Sequence, residues 1–357
     1  MSGVVVICGG GTGGHINPGL AVAKRLRELD VAVAWLGLRG GLEERLVSAA
    51  GVDLHTVDLR PAASAPGGRL GLLLRLPAAV ADARRILREL DAGAVLGLGG
   101  YPSLPGMLAS FGLRARRLLH EQNALPGIAN RLLAPVVHAI LASQEGSFAG
   151  GRVQVTGNPV RAEFAGQPAP AKRLATSESM NLLVLGGSQG ANSLNQGVPR
   201  ALGLLPNKDG WKVEHAAGAG GAAAVEAAYQ EQGVKAEVAD YFDDAAARMA
   251  RAHMVVCRAG ASTVAEVACL GVAAVFVPYP HAGGHQRANA AALVHARAAR
   301  LLEDRELRTR PAALAGVMKE AGGLVELFGM AERARALGRP DAAAAVAEAC
   351  VEQLGHV

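Results

Sequence analysis

The residues best equipped for chemistry lie between Cys257 and Asn289. Arg258-Ala259-Gly260 reads as a tight turn after a buried strand, and Ala261, Ser262 and Thr263 open a helix that runs through Val264 and Ala265 to Glu266. Small residues let a ligand approach the backbone, and the free N–H groups and positive end of a helix suit an anion such as phosphate. Glu266 sits far enough into the helix to reach a pair of sugar hydroxyls. A second strand, Val272–Val277, leads into a Pro-, His- and Gly-rich loop ending in His285, Gln286 and Asn289, a polar clamp. Phosphate site, diol acceptor and clamp together point to a nucleotide-sugar ligand.

A second set lies in the first half. Gly9-Gly10-Gly11-Thr12-Gly13-Gly14-His15 follows the β-branched run Val4–Ile7, and a helix pattern runs from Gly19 to Leu29. Strand, glycine loop and helix make the first unit of a nucleotide-binding α/β fold. The spacing Gly9-x-Gly11-x-x-Gly14 also fits the dinucleotide fingerprint, but the next strand ends in Leu38-Arg39, with no acid to hold a ribose diol. NAD is therefore disfavoured, and Arg39 leaves NADP a small opening. Four polar residues, His120-Glu121-Gln122-Asn123, end another strand, where open α/β sheets bind ligands. His15 and Glu121 are the residues of these two stretches, with His120, that can carry or take a proton. There is no Asp-x-Asp motif, so neither a metal clamp nor a cofactor is expected.

Strands and helices must position these groups. The 357 residues suit two domains, each large enough to bury a core. Residues 165–179, rich in Ala, Pro, Ser and Lys, read as the linker. Beyond it the pattern restarts: strand Asn181–Leu185, glycine loop Gly186–Ala191, helix. The expected fold class is α/β, with two Rossmann-like domains facing across a cleft. The last helix runs from Ala342 to Leu354, with Asp341 placed to cap it. Aromatics at 3% and a net charge of only +5 argue against nucleic acid and fit an anionic ligand or membrane surface. The four scattered cysteines read as structural thiols, and no apolar run reaches the roughly 18 residues of a spanning helix. The segment Arg69–Leu76, apolar and flanked by arginines, reads either as a core helix with a basic face or as a patch that dips into an anionic bilayer.

Taken together, Gly9–His15, Gly99–Pro102, His120–Asn123, Gly157–Arg161, Gly186–Ala191, Arg258–Glu266 and His285–Asn289 resemble the MurG family, in the family's order and over nearly the whole chain. These are peripheral bacterial glycosyltransferases that add N-acetylglucosamine to lipid I. The resemblance implies the GT-B architecture, with an N-terminal acceptor and membrane-side domain (1–163), a C-terminal donor domain (164–340) and a final helix crossing back (341–357). It implies inverting transfer from UDP-N-acetylglucosamine to the 4-hydroxyl of the N-acetylmuramic acid of lipid I, giving lipid II for peptidoglycan. The site would lie at the cytoplasmic face of the inner membrane. By motif, Phe242 would lie beside the uracil, Ser188 and the turn at 260–263 would hold the diphosphate, and Glu266 the ribose. Gln286 and Asn289 would grip the N-acetylglucosamine; Thr12, Gly13 and Gly14 would line the cleft; Asn123 and Arg161 would reach donor or acceptor diphosphate; His15 would be the general base, a role that a neutral imidazole suits near neutral pH, with Glu121 the second candidate. The chain departs from other members at Ala259, at His285 and in the loop Ala282-Gly283-Gly284, which lacks their acidic residue. The competing readings are a UDP-sugar 2-epimerase of related fold, a nucleotide-dependent dehydrogenase and a non-catalytic sugar-nucleotide binding protein.

Overall fold

Short runs of Val, Leu, Ile and Ala form parallel strands because both faces of each sheet are covered, which removes any need for polar alternation. The computed structural model describes residues 3–59, 68–150, 152–174, 180–187, 190–281, 283–320 and 323–356. These divide into two compact units, one of Met1–Arg161 with Asp341–Val357, the other of Ala162–Pro340.

The first unit contains β1 (Val4–Cys8), β2 (Val33–Leu38), β3 (Asp53–Val57), β4 (Ala92–Gly97), β5 (Arg116–Glu121), β6 (Ala139–Ala142) and β7 (Val153–Val155). Among the described residues they form one parallel sheet in the order β3-β2-β1-β4-β5-β6-β7. Successive side chains face opposite ways. Val5, Ile7, Trp35 and Leu96 join one apolar cluster, and Val6, Cys8, Leu36 and Val95 join another. The helix Gly68–Glu89 covers the second cluster with Ala79, Ala83, Ile86 and Leu87. The first is covered by the helix Gly13–Glu28 and by the chain's last helix, Ala342–Leu354, through Val346, Ala347, Cys350 and Leu354. Leu354 lies where Gly3 and Gly93 leave room: a Cβ on Gly93 would come within 2.6 Å of its Cδ2.

The second unit contains β8 (Met180–Leu185), β9 (Trp211–Ala216), β10 (Ala236–Ala239), β11 (Met254–Cys257), β12 (Ala273–Phe276) and β13 (Ala299–Leu301), in the order β10-β9-β8-β11-β12-β13. Counted from its own first strand, this is the order of the first six strands of the other sheet, so the weak repetition in the sequence is a repetition of topology. All four cysteines are buried free thiols, and burial pushes the Cys350 thiol up to about 12.

Several expectations need correction. The first helix starts at Gly13 instead of Gly19, so Gly13, Gly14 and His15 belong to its first turn. Pro18 lies inside this helix, at its sixth residue, and brings no N–H to the ladder there. The segment read as a linker, residues 165–179, begins at the end of one short helix, Ala162–Ala165, and holds a second, Pro170–Leu174, with Leu174 buried; residues 175–179 lie outside the described residues. Arg173 fastens the segment to the second unit by donating to the carbonyls of Leu270 and Gly271 at 2.7 and 2.9 Å. Asp341 occupies the N-cap position, but its side chain makes no capping bond. His285, Gln286 and Asn289 lie on a helix, His285–His295, and not in the loop before it. The side chains of residues 69–73 in the arginine-flanked segment lie outside the described residues, whereas Leu74 is 74% exposed.

Candidate functional site

In each unit the strand order reverses between two neighbouring strands, β1 and β4 in the first and β8 and β11 in the second. Open α/β sheets leave a crevice beyond the carboxyl ends of such strands. Four of the sequence motifs follow those four strands directly.

In the first unit, the glycine loop after β1 ends at Thr12, the N-cap of the helix Gly13–Glu28, with extended backbone (φ −140°, ψ 152°). The Thr12 hydroxyl caps no N–H and instead lies 2.9 Å from His15 Nδ1. On the other side of the ring is the loop after β4: a Cβ on Gly100 would lie 3.8 Å from His15 Cε1 and Nε2. Burial lowers the pKa of His15 below the ordinary 6.5, against the opposing pull of the Glu121 charge. The imidazole is therefore neutral near pH 7. With Nδ1 protonated and bonded to Thr12, Nε2 presents its lone pair.

The glycine loop rests on a residue that the sequence reading missed. Glu43 is fully buried, and its carboxylate accepts hydrogen bonds from the N–H groups of Gly11 (3.1 Å) and Leu38 (2.8 Å). A Cβ on Gly10, Gly37 or Gly41 would come within 2.6 Å of this side chain, so the glycines make room for the acid that shapes them. The available signal was Gly40-Gly41-Leu42-Glu43-Glu44, a helix start with two acids in its first turn.

Glu121, the second candidate base, is already committed. It is 2% exposed. Its Oε1 accepts from the Asn123 N–H and Nδ2 at 2.9 and 3.1 Å, and its Oε2 from the Gly127 N–H and Asn130 Nδ2, both at 2.9 Å. Four donors on two oxygens make it the acceptor that folds the loop carrying Asn123. Next to it, fully buried His120 is kept neutral by burial, and its Nε2 lies 3.0 Å from the Gly157 carbonyl. A carbonyl only accepts, so Nε2 carries the proton. This bond holds the turn at Gly157 (φ +86°), four residues before half-buried Arg161.

In the second unit, the glycine loop after β8 needs Gly190: its φ is +71°, and a Cβ there would lie 2.4 Å from the Ala217 carbonyl. Ser188 falls outside the described residues. After β11 the chain turns through Gly260 into the helix Ala261–Leu270, with Ser262, Thr263, Ala265 and Glu266 half-buried and Val264 buried. The first-turn N–H groups of such a helix have no partner within it. Asn289 is 1% exposed, and its Nδ2 donates to the Ala259 carbonyl at 3.3 Å. Gln286 Oε1 accepts from the Tyr279 N–H at 2.8 Å, closing the loop before its helix. Both residues therefore brace the turn and the loop. One face of half-buried Phe242 is occupied by the Arg248 guanidinium, 3.8 Å from the ring centre. A further buried network was also missed: His215 bonds the Tyr229 hydroxyl (2.9 Å) and Asn195 Oδ1 (3.1 Å) beneath the glycine loop, and burial lowers its pKa to about 3.

Residues 5–142 match the glycosyltransferase family 28 N-terminal domain, and residues 181–342 match the family's C-terminal domain. Two Rossmann-like units, each with ligand-type loops at its switch point, make this chain a glycosyltransferase of the GT-B architecture. It is 45% identical over 356 residues, 98% of each chain, to the UDP-N-acetylglucosamine--N-acetylmuramyl-(pentapeptide) pyrophosphoryl-undecaprenol N-acetylglucosamine transferase of Nitrosococcus oceani. It is 41% identical to the protein of the same name from Chromohalobacter salexigens, over 98% of this chain and 96% of that one. The crystal structure of Acinetobacter baumannii MurG matches with a TM-score of 0.82 at 31% identity, covering 98% of this chain and all of the other. The chain belongs to the MurG family. A UDP-GlcNAc 2-epimerase from Neisseria meningitidis shares the fold at a TM-score of 0.71 and 14% identity.

Proposed function

We propose that this glycosyltransferase moves N-acetylglucosamine from UDP-N-acetylglucosamine to the 4-hydroxyl of the N-acetylmuramic acid in lipid I, with inversion, releasing UDP and forming lipid II. The observation that carries the reading is full-length likeness at 45% identity to a protein bearing that name. The geometry supplies a consistent chemistry. His15 Nε2 takes the proton of the acceptor hydroxyl as it attacks the anomeric carbon, and the Thr12 hydroxyl, 2.9 Å from Nδ1, orients the ring and accepts from Nδ1 in the tautomer that this step uses. Leaving UDP gains charge, which the first turn of the helix Ala261–Leu270 stabilises with its N–H groups and the positive end of the helix. Glu266 accepts from the ribose hydroxyls. Gln286 and Asn289 act on the sugar through the loop and turn they brace, and Asn123 is presented to the acceptor by Glu121. Glu121, with four donors on its carboxylate, is a positioning group and not the base.

A dehydrogenase reading loses support from the first glycine loop, where the Gly11 N–H is bonded to Glu43, and from the exposed Arg39 where a ribose acid would stand. A peripheral place on an anionic membrane is also part of the proposal. No helix among the described residues is long and apolar enough to cross a membrane. The first unit does expose Leu125, Ile128 (77%), Leu132 (71%) and Val136, of which Ile128 and Leu132 share one helix, Ile128–Leu133. Arg131 lies on the same helix, and Arg117 and Arg152 donate to the carbonyls of Val136 and Val137. Apolar side chains rimmed by arginines suit an anionic headgroup layer.

The test is radiolabelled UDP-N-acetylglucosamine offered to the pure protein, with and without a short-chain lipid I analogue, in anionic and in neutral vesicles. The expected outcome is acceptor-dependent transfer of label, faster with anionic vesicles, where the protein sediments. A changed donor sugar without acceptor would favour the epimerase reading instead.

A further inference from the structure

Arg258 stands in the turn that meets the donor, yet its side chain points into the second unit. Nη1 donates to Asp304 Oδ1 at 2.7 Å and to the Val277 and Pro278 carbonyls at 3.0 and 3.4 Å, and Nη2 donates to Ser193 Oγ at 3.0 Å. The Ser193 hydroxyl in turn donates to Asp304 Oδ1 at 2.5 Å, and Arg308 Nε lies 3.1 Å from Asp304 Oδ2. The hydroxyl thus uses its proton toward the carboxylate and a lone pair toward the guanidinium, a closed three-way arrangement with consistent donors and acceptors. Ser193 is 3% exposed, and the Arg258 and Asp304 side chains 14% and 8%. Burial pushes the Asp304 carboxyl up, but the bonds from Ser193 and Arg258 and the charges of Arg258 and Arg308 outweigh it, so it lies below the ordinary range and stays ionised.

What these partners belong to gives the arrangement its meaning. Ser193 is the second residue of the helix Asn192–Gly203, which leaves the glycine loop after β8. Arg258 leads from β11 into the helix Ala261–Leu270, and Val277 and Pro278 begin the loop that ends at the helix His285–His295. Asp304 opens the helix Asp304–Thr309, whose Leu307 lies where a Cβ on Gly197 would meet it at 2.6 Å. Three segments assigned to the donor thus converge on one guanidinium and one carboxylate.

We propose that Ser193, Arg258 and Asp304 are positioning residues for the nucleotide sugar: they set the three donor-binding segments at one mutual spacing without touching the ligand. This rests on the donor reading of the second unit. A guanidinium suits the task because its planar fork serves a carboxylate, a hydroxyl and carbonyls at once, which an ammonium cannot do with fixed geometry. Breaking one member leaves a buried polar group short of a partner, so the segments shift to recover it.

The test is calorimetric titration of the full-length protein with UDP, alongside steady-state kinetics with both substrates varied. Asp304→Asn is expected to weaken UDP binding about tenfold and Ser193→Ala about fivefold, the scale of one lost charge-assisted hydrogen bond. Donor KM should rise in parallel, with acceptor KM unchanged. Ser193→Thr, which keeps the hydroxyl, should restore binding to within about twofold of the parent. Parent-like UDP affinity in Ser193→Ala and Asp304→Asn, even with lower melting temperatures, would overturn the proposal. Should Asp304→Asn fail to fold, the Ser193→Ala and Ser193→Thr pair decides alone. A parent protein that does not bind UDP at all would instead overturn the donor reading on which the proposal rests.

Discussion

At the scale of single residues, chemistry and support divide differently from what residue type alone implies. His15 and Glu121 were both candidate bases; one has a ring nitrogen beside Gly100, and the other has four donors on its carboxylate. Replacing His15 with Ala should lower kcat by about 10²-fold, the usual scale for a general base. A loss below tenfold would move the role elsewhere. The pH profile gives a second check. Burial lowers the His15 pKa, so its base form persists below the ordinary 6.5 and is lost only as the pH falls through the lower folded value. The acid limb of kcat/KM, which reports the free enzyme, should therefore lie below pH 6.5. A limb at or above that value would disconnect it from this histidine.

At the scale of elements, the glycine loops are shaped by backbone limits that differ from one glycine to the next. Gly187 and Gly190 both have positive φ, but only Gly190 would drive a Cβ into a carbonyl, that of Ala217 at 2.4 Å. Gly187→Ala should cost only the roughly 1–2 kcal/mol of a left-handed backbone. Gly190→Ala adds a clash that moves either the loop or the Ala217 strand end. Chemical denaturation of the two variants should rank Gly190→Ala as clearly less stable, and UDP affinity should fall with it. Equal stabilities would mean that the loop yields without resistance. Glu43 belongs to the same scale, because it converts three glycines and a helix start into the floor of the first loop.

At the scale of the whole molecule, the last helix completes the first unit. It leaves the second unit after Pro340 and buries Val346, Ala347, Cys350 and Leu354 against strands that begin at residue 4. Leu354→Ala should cost about 2–5 kcal/mol, as for other large-to-small changes in a core. Differential scanning calorimetry should show the transition of the first unit lowered and that of the second unchanged. A shift in both transitions would mean that the units unfold together.

Much of this organisation is local and was legible in the residue order. Apolar runs of four to six residues mark parallel strands, and glycine loops mark the strand-to-helix crossings. Polar residues after Glu121, Gly157 and Cys257 fall at strand ends, because a parallel sheet delivers every strand's carboxyl end to the same edge. The seven ordered motifs also carried the resemblance to the MurG family. The tertiary structure decided which members of those motifs face outward. Arg258 turns inward to Ser193 and Asp304, 65 and 46 residues away, Glu43 reaches 32 residues back to Gly11, and Glu121 is used up within its own loop. No local pattern encodes the choices of Arg258 and Glu43, because a buried charge takes its orientation from partners that only folding brings within reach.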